Sequence, residues 1–484
     1  MKKLSMRLLA ASMAFAALLM CAVWVGVKLI FPSAESVPTE PRESEPPYDY
    51  RILTLGSLGG KHWGAFEFID DESLIENSFS SEVCDRDYEA EQELNVEIRY
   101  IEKNNIYDYV RQSALAGTDD YDLVSLPMQE AGRLTTEGLL TDLREYDEYL
   151  HLDEECWDQN IIRDLDLSGS LYFATGDLTL LDKQATVVTY VNDDMLRVYP
   201  ELLEGYESIY SMVDEGRWTI ERMLNMVKAA SRDVDGDGEM TYRDAYGHSG
   251  DSYNLYVLLR GCGLRYFDRD DGGELRCVLS ESAPDILSAY EYADEIVNNE
   301  DYSILSSRMM QYVNDVFWEG FGGLFEKRQL LFNISTLNRV HIYRDWECDL
   351  GIIPVPKLSE DQSEYGMTMT GAANCVAIPT NVNDKEQSAR VLYALMKAAG
   401  DTTYHAYVER CLTNEYGVDE DSRPMLQLIF DSRTVDIKDV FMSTNIFIDP
   451  EDIRESSLEK EASRAEKMLE RFLSEMEGVR QQTD

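Results

Sequence analysis

Tyr121-Asp-Leu-Val-Ser-Leu-Pro127, YDLVSLP, is the stretch that decides how the folded part of this chain is read. Leu123, Val124 and Leu126 form a short apolar run of strand length. A helical pattern from Ile106 to Ala116 leads into it. Before that helix stands a second strand pattern, Val96-Glu-Ile-Arg-Tyr100, which follows a helical stretch through Glu89 and Glu93. The first strand is Arg51 to Ser57, RILTLGS, ending near Gly59-Gly60. Strands alternating with helices at this spacing predict βαβ units and a mostly parallel sheet. Ligands of such sheets collect outside the carboxyl ends of strands, which puts the loop holding His62 and Trp63 at a candidate cleft.

Further along, Ala185 to Val191 reads as a β-rich run, and Leu264 to Leu279 as a hairpin about Asp270-Asp271-Gly272-Gly273. Gln329 to Ile334 and Asp349 to Ile353 read as strands. The tail Asp452 to Arg480 has the spacing of a charged amphipathic helix, with Leu458, Ala462, Ala465, Met468, Leu469 and Phe472 on its apolar face.

The 484 residues allow two or three domain-sized units. With 44 Lys plus Arg against 92 Asp plus Glu, the formal net charge is -48. Nucleic acid is excluded as a partner, because the basic footprint that binds phosphates is missing. Lys2, Lys3 and Arg7 precede an uncharged apolar run, Leu8 to Val27. That run has the length of a membrane span, and the charge before it keeps the N-terminus cytoplasmic and exports the rest. Leu18-Leu19-Met20-Cys21 resembles a lipobox with Met20 where a small residue is usual, so an uncleaved anchor is favoured over a lipoprotein at Cys21. Pro32 to Pro47 is a Pro/Glu/Ser tether that holds the folded body off the membrane. Seven cysteines remain beyond Cys21; only Cys262 and Cys277, flanking the hairpin, are placed to pair.

The order of segments resembles the extracellular solute-binding proteins of ATP-driven importers, in particular their large carbohydrate-binding group. The passages that carry the resemblance are YDLVSLP, Tyr121 to Pro127, then GLLTDL, Gly138 to Leu143, and TYVNDDML, Thr189 to Leu196. GRWTIERML, Gly216 to Leu224, follows, leading into DVDGDGE and DAYG, and DLGIIPVPKLSEDQSEY, Asp349 to Tyr365, closes the series. The chain departs from the group at Asn192-Asp193 and at Thr336-Leu337.

The resemblance implies a two-lobe α/β fold of the type II periplasmic binding protein kind, with lobes discontinuous in sequence and hinge crossings near 176–185, 329–336 and 376–384. The implied layout is an anchor over 1–31, a linker over 32–49, lobe 1 over 50–180 and 330–380, and lobe 2 over 181–329 and 381–484. It further implies capture of a small solute, a carbohydrate, between the lobes and delivery to a membrane permease, without catalysis or a catalytic cofactor. By position, Tyr172 and Asp177, Ser335 and Thr336, and Thr370 and Gly371 are cleft candidates near the three crossings. Trp63 suits stacking on a sugar face and His62 a hydroxyl, against lobe packing and plain solvent exposure.

Arg232 to Asp244, RDVDGDGEMTYRD, sets Asp233, Asp235 and Asp237 at positions one, three and five of a calcium-loop pattern. Gly238 stands at six, Glu239 at seven and Asp244, shorter than the usual Glu, at twelve. A structural Ca²⁺ is the expectation; a solvated acidic turn is the alternative. Trp218, before Thr219 and Glu221, reads as an inward-packing residue at a helix start, and Trp157, Trp318 and Trp346 as core. No HExxH, GxSxG, GxxxxGK[ST] or GxGxxG is present, and none of the five histidines is paired at ligand spacing. A glycoside hydrolase is the rival enzyme class, since 92 acids make carboxylate pairs unavoidable. A ligand-sensing or scaffold module of the same fold is the other alternative.

Overall fold

The computed structural model describes residues 46–55, 68, 80–270, 272–281, 283–343, 346–371, 373–408, 412, 422–442 and 455–483. The expected anchor, the lipobox and nearly all of the tether lie outside them, as do His62 and Trp63. Among the described residues no helix is long and apolar enough to cross a membrane. Tyr48–Asp484 forms one compact unit.

Two sheets organise that unit. In the first, β1 (Tyr48–Leu55), β2 (Val96–Lys103), β3 (Leu123–Pro127) and β11 (Asn374–Ala377) lie in the order β11-β3-β1-β2. β1 is parallel to both β2 and β3, with Ile52 opposite Tyr100 and Leu123, whereas β11 is antiparallel to β3. Tyr50, Ile52, Leu53, Leu123, Val124 and Leu126 are all fully buried, so the apolar run in YDLVSLP is a central strand. Asp122 fixes the β1/β3 register: its Oδ2 accepts from the Arg51 backbone N–H at 2.8 Å and from Arg51 Nε at 2.9 Å.

The second sheet comprises β4 (Val187–Asn192), β5 (Tyr246–Gly250), β8 (Ser303–Leu305), β9 (Leu330–Thr336) and β10 (Leu350–Ile353), in the order β10-β4-β9-β5-β8. β5 is parallel to β8 and β9; β4 and β10 are antiparallel additions. The hairpin of β6 (Phe267–Arg269) and β7 (Leu275–Cys277) stands apart as a two-stranded ribbon.

This pairing corrects the expected lobe boundaries. Residues 330–380 do not all belong to lobe 1, because β9 and β10 both hydrogen-bond into the second sheet through β4. Nor do residues 381–484 all belong to lobe 2, because the helix Lys385–Ala399 packs on the helix Ser80–Leu94 of the first lobe. Within the expected crossing 329–336, Leu330–Thr336 is therefore an unbroken strand and no crossing. The chain returns to lobe 1 only after β10, through 366–373, where Thr186 and Met369 form an antiparallel bridge and Val187 N–H donates to Thr368 O at 2.9 Å. A strand's apolar pattern shows that it is buried, and cannot show which of two sheets buries it.

Cys262 and Cys277, the two cysteines placed to pair, are both free thiols. Phe267 faces Cys277 across the ladder, which leaves Cys262 outside the hairpin in the turn after the helix Asn254–Gly261. Trp157 and Trp346 are buried as expected, but Trp318 is 43% exposed. Trp218 is fully buried, with its Nε1–H donated to Pro354 O at 2.9 Å, and Thr219 caps the helix Ile220–Ala230 through the Arg222 N–H. The tail forms the helix Glu455–Thr483, burying Leu458, Ala462, Ala465, Leu469 and Phe472.

Candidate functional site

The carboxyl ends of β3 and β5 meet beneath the crossing segment 368–373. Pro127 ends β3 with φ −58° and ψ 138°, and the helix Met128–Thr136 starts immediately after it. The Met128 N–H donates to Ala373 O at 3.0 Å, which ties that helix to the crossing. On the other side β5 ends at Gly250, and Tyr253 follows before the helix Asn254–Gly261. β5 itself is polar at its centre: His248 is fully buried, its Nδ1 is 2.8 Å from Ser303 Oγ, and burial pushes its pKa down to about 3.

A third element closes the gap. The short helix Ile437–Phe441 packs against Met128–Thr136, where a Cβ at Gly132 would overlap the Val440 carbonyl. Only glycine permits that approach. Gln129 Nε2 donates to Asp439 O at 3.3 Å, and Tyr256 O–H donates to Asp439 Oδ2 at 2.6 Å, so this helix touches both lobes. Just before it, Arg433 donates to Asp182 Oδ2 at 2.7 Å and to Asp158, while Asp436 Oδ2 accepts from the Tyr266 N–H at 2.7 Å.

These pieces enclose a cavity of about 40 Å³ lined by Met128, Gln129, Tyr253, Thr370, Gly371 and Asp439, with neighbouring residues of the same three segments. That is water-sized space, too small for a sugar ring, so a ring would need the walls to part. Two polar atoms of its lining are buried without a partner among the described residues, Thr370 Oγ1 and Asp439 Oδ1. Burial raises the Asp439 pKa, and the Arg260 charge works against that rise. A buried oxygen left unpaired is costly, and a bound hydroxyl or amine would relieve both.

Ser306, just after β8, donates to Gly250 O at 2.9 Å, which anchors the following segment at the carboxyl end of β5. Along that segment come Phe317 and the exposed Trp318. Arg339, in the turn after β9, lies with its guanidinium 4.0 Å from the Phe317 ring centroid and with Nε buried and unpartnered.

Of the residues proposed from sequence, Thr370 and Gly371 line the cavity and are brought together with one another. Thr336 and Ser335 end β9 outside that lining. Thr336 is bound into the fold, its Oγ1–H donated to Asn338 Oδ1 at 2.7 Å and its carbonyl accepting from Tyr190 O–H at 3.0 Å. Tyr172 is 4% exposed in the first lobe. Asp177 lies in the crossing from lobe 1, its N–H donated to Cys156 O at 2.9 Å; burial pushes its carboxyl up to about 6, against the pull of Lys183. Met128, Gln129, Tyr253 and Asp439 were missed. The first three stand at strand carboxyl ends, the same positional signal that singled out Trp63, applied to β3 and β5.

In the acidic loop, Asp233, Asp235 and Asp237 each bring a carboxylate oxygen within 4.8 Å of the others. Asp233 accepts from the N–H groups of Gly236 at 2.6 Å and Gly238 at 2.8 Å, and Gly238 has φ +86°, which favours glycine. Asp244 is buried with both oxygens engaged: Oδ1 accepts from Val234 N–H at 2.9 Å, and Oδ2 from Thr241 N–H at 2.7 Å and Thr241 Oγ1 at 3.0 Å. Its carboxylate shapes the loop, and the Glu239 side chain lies outside the three-carboxylate group.

No family model matches the chain, and no curated protein matches it in sequence. Solved structures do match. The sugar-binding protein MalE of Xanthomonas citri superposes with a TM-score of 0.56 at 11% identity, covering 90% of this chain and 99% of that one. The fold is that of a type II periplasmic binding protein. A sugar transporter of Rhizobium etli in an open conformation gives 0.54 at 13% identity, over 89% of this chain and 99% of that one. A cyclo/maltodextrin-binding protein complexed with maltotetraose gives 0.52 at 12% identity, over 91% and 98%. Such binding proteins hold their ligand between lobes and trap it by closure about a hinge.

Proposed function

We propose that this chain is an extracytoplasmic binding protein that captures a carbohydrate between its lobes and passes it unaltered to the permease of an ATP-driven importer. The observation that carries this reading is the pair of buried, unpartnered oxygens, Thr370 Oγ1 and Asp439 Oδ1, where β3, β5 and the crossing segment converge. Neighbouring hydroxyls of a sugar offer donors and acceptors together, which suits a carboxylate beside a hydroxyl. Tyr253, in the cavity lining, suits the apolar C–H face of a ring. The names of the structures of like fold favour a sugar over a peptide. Opening of the lobes admits the solute, and contacts made only in the closed state favour closure. The apolar run Leu8 to Val27 would hold the protein to the cell membrane.

We also infer a structural Ca²⁺ on Asp233, Asp235 and Asp237, whose carboxylates already converge. The cation would offset their repulsion and hold the connection between the helix Ile220–Ala230 and β5.

Thermal unfolding of the full chain against a panel of oligosaccharides and peptides tests the capture reading, with mass spectrometry of the ligand afterwards. A specific rise with one glycan series, recovered intact, supports it, since ligand bound to the native state raises apparent stability. Shortened glycan products would establish hydrolysis instead, and a rise with peptides alone would overturn the sugar assignment.

A further inference from the structure

Segment 432–436 has a cavity on each side, and Thr434 touches both. The one away from the strand ends is far the larger, about 860 Å³. One wall is the helix Gln159–Leu165, through Asn160 and Arg163, and it belongs to the first lobe: Asp158 N–H donates to Thr175 O, and Ala174 bridges to β11. The facing wall is the loop 358–366 and the turn 260–265 of the second lobe. Asp285, Asp361, Glu364 and Asp431, all exposed, stand at its mouth.

Deeper in are two guanidinium groups. Arg260 is 4% exposed; its Nη1 donates to Leu264 O at 2.7 Å and meets Asp436 Oδ2 at 3.4 Å, but its Nε is buried with no partner. Arg265 is half-buried and makes no hydrogen bond or ion pair with any described residue. Burial and the neighbouring Arg260 charge both oppose its protonated form, and Asp164, Asp268 and Asp436 act on it only through space. A guanidinium presents five donors in a rigid fork, and a desolvated one is ordinarily matched by a carboxylate. Here 92 acidic residues serve 44 basic ones, so the lack of a partner is no matter of supply.

We propose that this cavity is a second ligand site, taking the carboxylate or phosphate group of a small solute on Arg265, with the acidic mouth selecting solutes whose remaining atoms are neutral or cationic. The site lies across segment 432–436 from the small cavity and does not depend on the sugar reading.

The test is calorimetric titration and thermal unfolding of the full chain with inorganic phosphate, acetate and glycine, against chloride at equal ionic strength. The expected result is a saturable rise in midpoint with at least one probe and none with chloride. Response to phosphate alone assigns a phosphate group; response to acetate or glycine assigns a carboxylate, with glycine ahead of acetate because its ammonium meets the acidic mouth. R265Q is expected to lose the response while unfolding no lower than the parent, because it removes a desolvated charge that has no partner. Should R265Q fail to fold, R265K keeps the charge without the fork and is expected to bind at least threefold more weakly. No saturable response to any probe, a response that survives R265Q, or unchanged affinity in R265K overturns the proposal.

Discussion

The loop Asp233 to Asp244 and the segment 432–441 each depend on aspartates, and they use them in opposite ways. In the loop Asp233, Asp235 and Asp237 are exposed, and Asp233 finds its donors at Gly236 and Gly238, within five residues. In the segment Asp436 is buried and Asp439 partly so, and besides the Lys438 N–H that Asp436 caps, their side-chain partners are Arg260, Tyr266 and Tyr256, more than 160 residues away. The same side chain is thus a cheap local turn device in water and a high-stakes tie between lobes out of it. Exposed charges are screened and weakly coupled to stability. Buried ones become very costly when one partner is removed.

Arg433→Met should produce the largest effect, because it strips the guanidinium from both Asp158 and Asp182, leaving fully buried Asp182 with only Lys183 at 3.6 Å. A loss of roughly 3–5 kcal/mol in denaturant unfolding is expected; a loss like that of an exposed pair would erase the contrast. Asp439→Asn comes next, on binding: one charged hydrogen bond is worth ~1.5–3 kcal/mol, or roughly 10- to 150-fold in solute affinity. Titration calorimetry reads it, and unchanged affinity would remove Asp439 from the site.

Asp177 sharpens the comparison through pH. Its folded pKa, about 6, lies above that of the unfolded chain, so the folded state holds its proton more tightly. The burden on stability is absent below the unfolded value and complete above about 6. Asp177→Asn should therefore match the parent in acid and exceed its stability at neutral pH, the gap opening between those two values. An equal gap at every pH would contradict the buried-carboxyl account. The smallest effect belongs to the loop: in chelator, Asp235→Asn should shift stability by no more than ~0.5 kcal/mol, as for other surface substitutions. With Ca²⁺ the parent should gain stability and the variant should not. A parent indifferent to Ca²⁺ would leave only a solvated acidic turn.

What the sequence could show follows the same division. YDLVSLP and the run Ala185 to Val191 were legible as short continuous apolar runs buried on both faces, and the tail helix by its period of 3.6. The acidic loop stood out because its aspartates sit at fixed offsets. β5, Tyr-Gly-His-Ser-Gly, was not, since its buried His248 and Ser249 replace the apolar run that marks a strand. The lobe boundary was misplaced because β9 and β10 look alike whichever sheet they join. Asp439 carried no signal, for its role exists only where Gln129 and Tyr256 approach it from different lobes.

The most direct test of solute capture in the cleft is calorimetric titration of one oligosaccharide panel into the full chain and into its Asp439→Asn variant. Saturable binding of one glycan series by the parent, weakened at least tenfold in the variant, is the predicted result. Binding of no glycan, or equal binding by both proteins, would contradict the assignment of a sugar to the space between β3, β5 and the helix Ile437–Phe441.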